Sequence, residues 1–205
     1  MTTIYLIRHS KAEKVKNDSE NLQTQNEMWP LSLEGVEIAK NKLVSDEFKD
    51  VDVIYSSNYT RAYETAKILA DKHNINVNVV PDLGERKFGI NSWSELPENF
   101  ERIQFLDENY KIGTGESQKE VRERMYKSIT EILNSNKGKV IAVFSHGTAI
   151  SYLLNKWCNI DIVDDKMQYS YNGKVLLHNY FNYCETFKLT FDDNNNLIDI
   201  ENIML

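Results

Sequence analysis

The 205-residue chain carries 24 lysines and arginines against 31 aspartates and glutamates, a formal net charge of −7. That balance disfavours a nucleic-acid or anionic-membrane surface, so any positive site must be local. No stretch approaches the roughly 20 apolar residues that span a bilayer, and no basic segment followed by an apolar run opens the chain; the expectation is a cytoplasmic protein.

The length suits one α/β domain over residues 1–205, with a modest insertion. Thr3 to Ile7 is an apolar, β-prone run that stops at Arg8, His9 and Ser10, as a strand covered on both faces would. Residues 11 to 30 read as a loop of alternating charges, Asp18 among them, before Trp29 and Pro30. Ser32 is placed to cap a helix from Leu33 to Phe48, with Leu33, Val36, Ala39 and Leu43 along one face. A second strand covers Val51 to Tyr55. Ser57 or Asn58 then caps a helix to Lys72, with Tyr59, Ala62, Tyr63, Ala66, Leu69 and Ala70 at helical spacing and Arg61 in its first turn. A cation at that end opposes the helix dipole, which an anionic ligand there would reverse.

Val77 to Val80 is a short strand ended by Pro81. Residues 82 to 116 read as an irregular insertion that lids the crevice, with a short helix near Glu98 to Asn109. Ser117 and Glu120 form a capping box for a helix whose apolar face is Val121, Met125, Ile129, Ile132 and Leu133. Val140 to Phe144 is a strand leading through Ser145, His146 and Gly147 into a helix with Ile150, Leu153, Leu154 and Trp157 on one face. Residues 160 to 174 give no clear pattern. Phe187 to Phe191 and Ile198 to Ile200 alternate around the Asp192 to Asn196 turn, a hairpin that should close one sheet edge. The pattern as a whole predicts a three-layer α/β/α sandwich with a mostly parallel sheet and an antiparallel C-terminal edge.

Ligands of open α/β sheets bind beyond the carboxyl ends of the strands, where Arg8 with His9, Ser56 to Arg61, and His146 would meet. A lone histidine is more often structural, and Glu85 or Arg61 could be ordinary surface charges; three matching strand ends make one anionic site the better reading. His73 and His178 are assigned structural or solvent roles, and Lys11, Arg86 and Lys87 solvated positions at the rim. Cys158 and Cys184 lie in no CxxC or zinc-ligand spacing and are expected as free thiols. No metal and no cofactor is expected.

In order and spacing, Leu6-Ile7-Arg8-His9, Leu31 to Gly35, Ser56-Ser57 through Arg61-Ala62 to Ala66, Leu83 to Glu85 with Phe88-Gly89, Gly115 to Ser117 and Ser145-His146-Gly147 resemble the histidine phosphatase superfamily, the phosphoglycerate-mutase-like phosphatases. The resemblance implies that His9 becomes phosphorylated, that Arg8, Arg61 and His146 hold phosphoryl oxygens, and that Glu85 donates the proton. Ser10, Gly147 and Ser117 are added as substrate contacts. Ser10 replaces the glycine of the motif; its small side chain still permits close approach and its hydroxyl can donate to phosphate. The family's loop asparagine aligns near Val15, with Asn17 two residues late.

The implied function is a metal-independent phosphatase of small phosphate monoesters, with no nucleic-acid or membrane partner and a homodimer left open. The alternatives are a phosphoglycerate mutase using the same phosphohistidine, which usually carries longer insertions, and a non-catalytic phosphate-binding module. Trp93, Phe100, Phe105 and Tyr110 either line the substrate or simply pack the lid.

Overall fold

In the computed structural model, which describes residues 1–16, 19–164 and 166–203, a six-stranded sheet runs in the order β3-β2-β4-β1-β8-β9. β1 (Thr2–Arg8), β2 (Val53–Ser56), β3 (Val77–Val79) and β4 (Val140–Ser145) are mutually parallel. β8 (Thr186–Phe191) and β9 (Leu197–Ile203) form the antiparallel edge. The three-layer sandwich is the one expected.

β1 shows why its run is apolar throughout. Ile4 and Leu6 face one core with α5 (Gln118–Ser135) and α6 (Gly147–Leu154), while Tyr5 and Ile7 face the other with α2 (Leu33–Leu43) and α3 (Thr60–His73). Val121, Met125, Ile129, Ile132 and Leu133 are all buried, and the Ser117–Glu120 capping box is formed at both ends.

The departures are local. The loop after β1 contains a helix, α1 (Leu22–Met28), capped by the Asn21 side chain on the Thr24 N–H. α2 ends at Leu43, not Phe48, and Leu33 is exposed; its buried face is Gly35, Ala39 and Leu43. The cause is a close approach, since a Cβ on Gly35 would lie 2.0 Å from the Lys11 carbonyl oxygen. α2 is thereby pressed against the loop that leaves β1. α3 begins at Thr60 with Tyr59 at the cap position and no side-chain cap, while Ser57 Oγ meets His146. The predicted helix at 98–109 is shorter, α4 (Phe100–Leu106).

The unassigned stretch is a separate three-stranded antiparallel sheet of β5 (Asn159–Val163), β6 (Lys166–Tyr171) and β7 (Lys174–His178). Asn172 and Gly173 both have positive φ, the geometry of a tight two-residue hairpin turn. Among the described residues no helix is long and apolar enough to cross a membrane.

Candidate active site

Because β1, β2 and β4 are parallel, their carboxyl ends open on one side of the sheet. Arg8 pairs with Ser145 in register, the His9 N–H donates to the Ser145 carbonyl (2.9 Å), and the Ser57 N–H donates to the Phe144 carbonyl (3.1 Å). His9, Ser57 and His146 are thus fixed by the sheet itself.

His9 is buried, and its Nδ1 lies 2.6 Å from the Ser10 carbonyl oxygen. A carbonyl can only accept, so Nδ1 carries the proton and Nε2 the lone pair. The Arg61 Nε–H donates to that Nε2 at 3.1 Å. Burial first, then the Arg61 and Arg8 charges, push the His9 ring well below its ordinary value of 6.5, against a weaker opposing effect of the Ser10 carbonyl. His9 is therefore a neutral base near pH 7.

His146 caps α6, with its ring centroid 5.1 Å from that of His9 and 4.5 Å from that of Tyr59. Its Nε2 lies 2.8 Å from Ser57 Oγ, and its Nδ1 is buried with no partner. Burial, then the Arg61 charge, keep this ring neutral too.

Arg61 is only 5 % exposed: it donates through Nη1 to the Asn26 carbonyl of α1 and lies 4.8 Å from the centroid of Tyr59. Arg8 donates through Nη1 to the Phe181 carbonyl and packs 5.1 Å from the Tyr183 ring. Its Nε is buried without a partner, 3.5 Å from where a Cβ on Gly147 would stand. The guanidinium therefore rests against the first residue of α6. Two buried nitrogens without partners, Arg8 Nε and His146 Nδ1, thus accompany a neutral imidazole whose Nε2 lone pair is held by the Arg61 Nε–H.

Glu85 docks on the start of the same helix. Its carboxylate accepts from the N–H groups of Arg86 (2.9 Å), Ala149 (3.0 Å) and Thr148 (3.3 Å). The Thr148 and Ala149 N–H groups are among the donors a helix leaves open at its N-terminus.

The remaining expected contacts are placed differently. The Ser10 hydroxyl donates to the Gly35 carbonyl at 2.7 Å, so its proton is committed to the scaffold rather than to a substrate. The Ser117 hydroxyl accepts from the Glu120 N–H as a helix cap (3.2 Å). Val15 is half exposed, with its carbonyl accepting from the Trp29 indole (2.9 Å). Asn17 lies outside the described residues. Glu116 is paired with Arg124 at 2.7 Å; burial would raise its carboxyl, but Arg124 prevails and holds it below the ordinary range.

Beside Arg8 opens a cleft of about 670 Å³. Gly147, Thr148 and Ser151 of α6 line it, with Arg102 and Phe105 from α4, and Met167 and Tyr169 from β6. Of the four aromatic residues considered for such a wall, Phe105 alone lines it. Phe100 is buried beside Tyr110, and Trp93 packs on Trp29 and Phe88.

Arg86 is the residue that sequence reasoning missed. Far from solvated, it is 1 % exposed, and its guanidinium bonds to Gln104 (2.8 Å), Tyr152 (3.0 Å) and Glu101 (2.8 Å). Phe88 and Phe100 lie 4.8 and 4.7 Å away. The nearby sequence offers only Phe88 as a signal, since Phe100 lies fourteen residues on and meets the arginine only in the fold. Lys11 instead pairs with Glu34 at the surface. Cys158 and Cys184 are buried and unpaired, their thiols pushed by burial to about 12 and about 11.

Residues 4–193 match the family described as the histidine phosphatase superfamily (branch 1). A probable phosphoglycerate mutase, GpmB, of Escherichia fergusonii is 28% identical over 163 residues, 76% of this chain and 74% of that protein. The GpmB of Yersinia pestis is 30% identical over 165 residues, with the same shares covered. Among solved structures, a mycobacterial glucosyl-3-phosphoglycerate phosphatase complexed with VO3 superposes with a TM-score of 0.72 at 18% identity, over 99% of this chain and 98% of that one. A mutant phosphoserine phosphatase of Entamoeba histolytica in complex with phosphoserine gives 0.66 at 20% identity, over 98% and 97%.

Proposed function

The chain belongs to the histidine phosphatase superfamily, and from that premise we propose that it hydrolyses small phosphate monoesters, without a metal, through a phosphohistidine at His9. The observation that carries this reading is the state of His9. It is a neutral imidazole whose proton is fixed on Nδ1 by the Ser10 carbonyl, leaving Nε2 as the nucleophile between two arginines.

In the first step, Nε2 attacks phosphorus, the P–O bond to the alcohol breaks, and Glu85 gives its proton to the departing oxygen. In the second, water attacks phosphorus, the P–N bond breaks, and Glu85 takes the water proton. Arg8, Arg61 and His146 hold the three phosphoryl oxygens, with the N-terminus of α6 at Gly147 adding its dipole. Positioning and charge neutralisation are what this transfer needs most, and guanidinium groups supply both. Ser10 and Ser117 support the scaffold and do not bind phosphate in this reading. The segment 82–116 serves as the lid, closing the cleft with α4. Two unpaired buried cysteines support a reducing compartment such as the cytoplasm.

Rapid quenching with a labelled phosphate ester should trap an acid-labile, base-stable phosphoenzyme that His9→Ala abolishes and exhaustive chelation leaves intact. Labelling of His9→Ala to the same extent, or activity lost to EDTA and restored by magnesium, would overturn the reading. A second reading, phosphoglycerate mutase, is favoured by the names of the curated relatives. Supplying 3-phosphoglycerate separates the two: 2-phosphoglycerate marks a mutase, free phosphate a phosphatase.

A further inference from the structure

We propose that Ser57 is a positioning residue that sets the tautomer of His146, placing the proton on Nδ1 so that this nitrogen donates to the phosphoryl group. The proposal rests on the phosphohistidine reading for the identity of the acceptor, but its first half concerns the protein alone.

The argument begins with the hydroxyl. Ser57 is fully buried, and its Oγ has two partners, the Tyr59 N–H at 3.3 Å and His146 Nε2 at 2.8 Å. Toward Tyr59 it can only accept, because a backbone N–H only donates. Among the described residues its own proton then has one acceptor in reach, the Nε2 lone pair of His146. A neutral imidazole has one donor and one acceptor nitrogen, so a ring that accepts at Nε2 carries its proton at Nδ1.

The opposite tautomer fails twice. It would set an Nε2–H against the hydroxyl and leave the buried hydroxyl proton unused, at the cost of an unsatisfied donor. It would also turn a lone pair at Nδ1 toward an anion. Nδ1, like Arg8 Nε, is buried without a partner, and a donor there completes a set that an anion can satisfy. The ring is neutral for reasons already given, burial first, so the tautomer matters.

The local sequence reflects this use. Ser57 stands where a cap for α3 is expected, yet α3 starts at Thr60 without a side-chain cap. The hydroxyl instead accepts from the Tyr59 N–H at the entry to the helix and meets the histidine.

Long-range proton–nitrogen correlation on the ¹⁵N-labelled full chain reads the ring directly, and four histidines keep the spectrum assignable with His146→Asn as reference. The wild-type ring should show a protonated Nδ1 and a bare Nε2 shifted by its hydrogen bond. Ser57→Ala should move both nitrogens toward the averaged values of a tautomer mixture, and Ser57→Thr should restore them. Labelling of His9 by phosphoramidate should slow roughly 10- to 100-fold in Ser57→Ala, the range of one hydrogen bond to a charged group, and recover in Ser57→Thr. A wild-type ring protonated at Nε2, or an Ala variant with unchanged ring shifts, overturns the proposal. The wild-type spectrum alone can do so, even if a variant fails to fold. Because the spectra need no phosphoryl chemistry, failure of His9 labelling in the wild type would count against the proposed function and leave the tautomer assignment standing.

Discussion

The Nε–H of Arg61 points at Nε2 of His9 from 3.1 Å, so one guanidinium both occupies the attacking lone pair and depresses the basicity of the ring. In the proposed reaction Arg61 must turn its donor from His9 to a phosphoryl oxygen as the first step starts. Arg61→Gln should therefore lower kcat/KM by about 10²- to 10³-fold, the scale of one lost transition-state donor. It should also shift the acid limb of the pH–rate profile upward, because removing the cation raises the His9 pKa. An acid limb that stays in place would separate Arg61 from the ionisation of His9.

Glu85 is tied to three backbone N–H groups around the start of α6. An alkoxide leaving group needs a proton in the transition state and a nitrophenolate scarcely does; a positioned acid contributes on the order of 10²- to 10⁴-fold. Glu85→Gln should slow single-turnover cleavage of an alkyl phosphate far more than that of p-nitrophenyl phosphate. Equal losses on both would leave Glu85 with only its role at the helix terminus.

Two buried neutral histidines make the fold acid-sensitive. Their folded pKa values lie below 6.5, so below that pH the unfolded chain binds more protons, and stability is lost as pH falls toward the folded values. Each ring contributes up to about 1.4 kcal/mol per pH unit in that window. Thermal unfolding between pH 7 and 5 should show a steeper decline in wild type than in His9→Asn. Parallel curves would mean that His9 titrates alike in both states.

Arg86 joins α4 to α6 beneath the cleft through Gln104 and Tyr152, which are also bonded to each other at 2.9 Å. Arg86→Met should cost about 1.5–3 kcal/mol, the worth of hydrogen bonds to a charged group. The expected signature is a lower urea midpoint with an unchanged slope. Arg86→Lys should recover only part, since an ammonium cannot reproduce the planar fork between two aromatic rings.

The layers, the parallel strands and the convergence of His9, Arg61 and His146 follow from patterns visible in the chain, because burial on both sheet faces forces continuous apolar runs and parallel strands open one way. Less was legible where contacts at long range decide. The Ser10 hydroxyl could be known to face Gly35 only once α2 was seen pressed on the loop at Lys11. Arg86 carries the signature of a surface charge until its aromatic neighbours are folded around it. The second sheet was half legible: its Asn172-Gly173 turn is a hairpin signal, but β5 to β7 lack clean alternation, being only partly buried.

The chain leaves α6 for β5, β6 and β7 and returns along Asn179 to Phe181, and that return borders the cleft while its Phe181 carbonyl seats Arg8. In the proposed mechanism selectivity and turnover are therefore wired through one peptide unit. A graft replacing the excursion would retune what the cleft admits only if its downstream junction falls before Asn179. Moved past Phe181, the same graft would unseat Arg8, an arginine of the proposed phosphoryl site, and a change meant for recognition would be felt as lost chemistry.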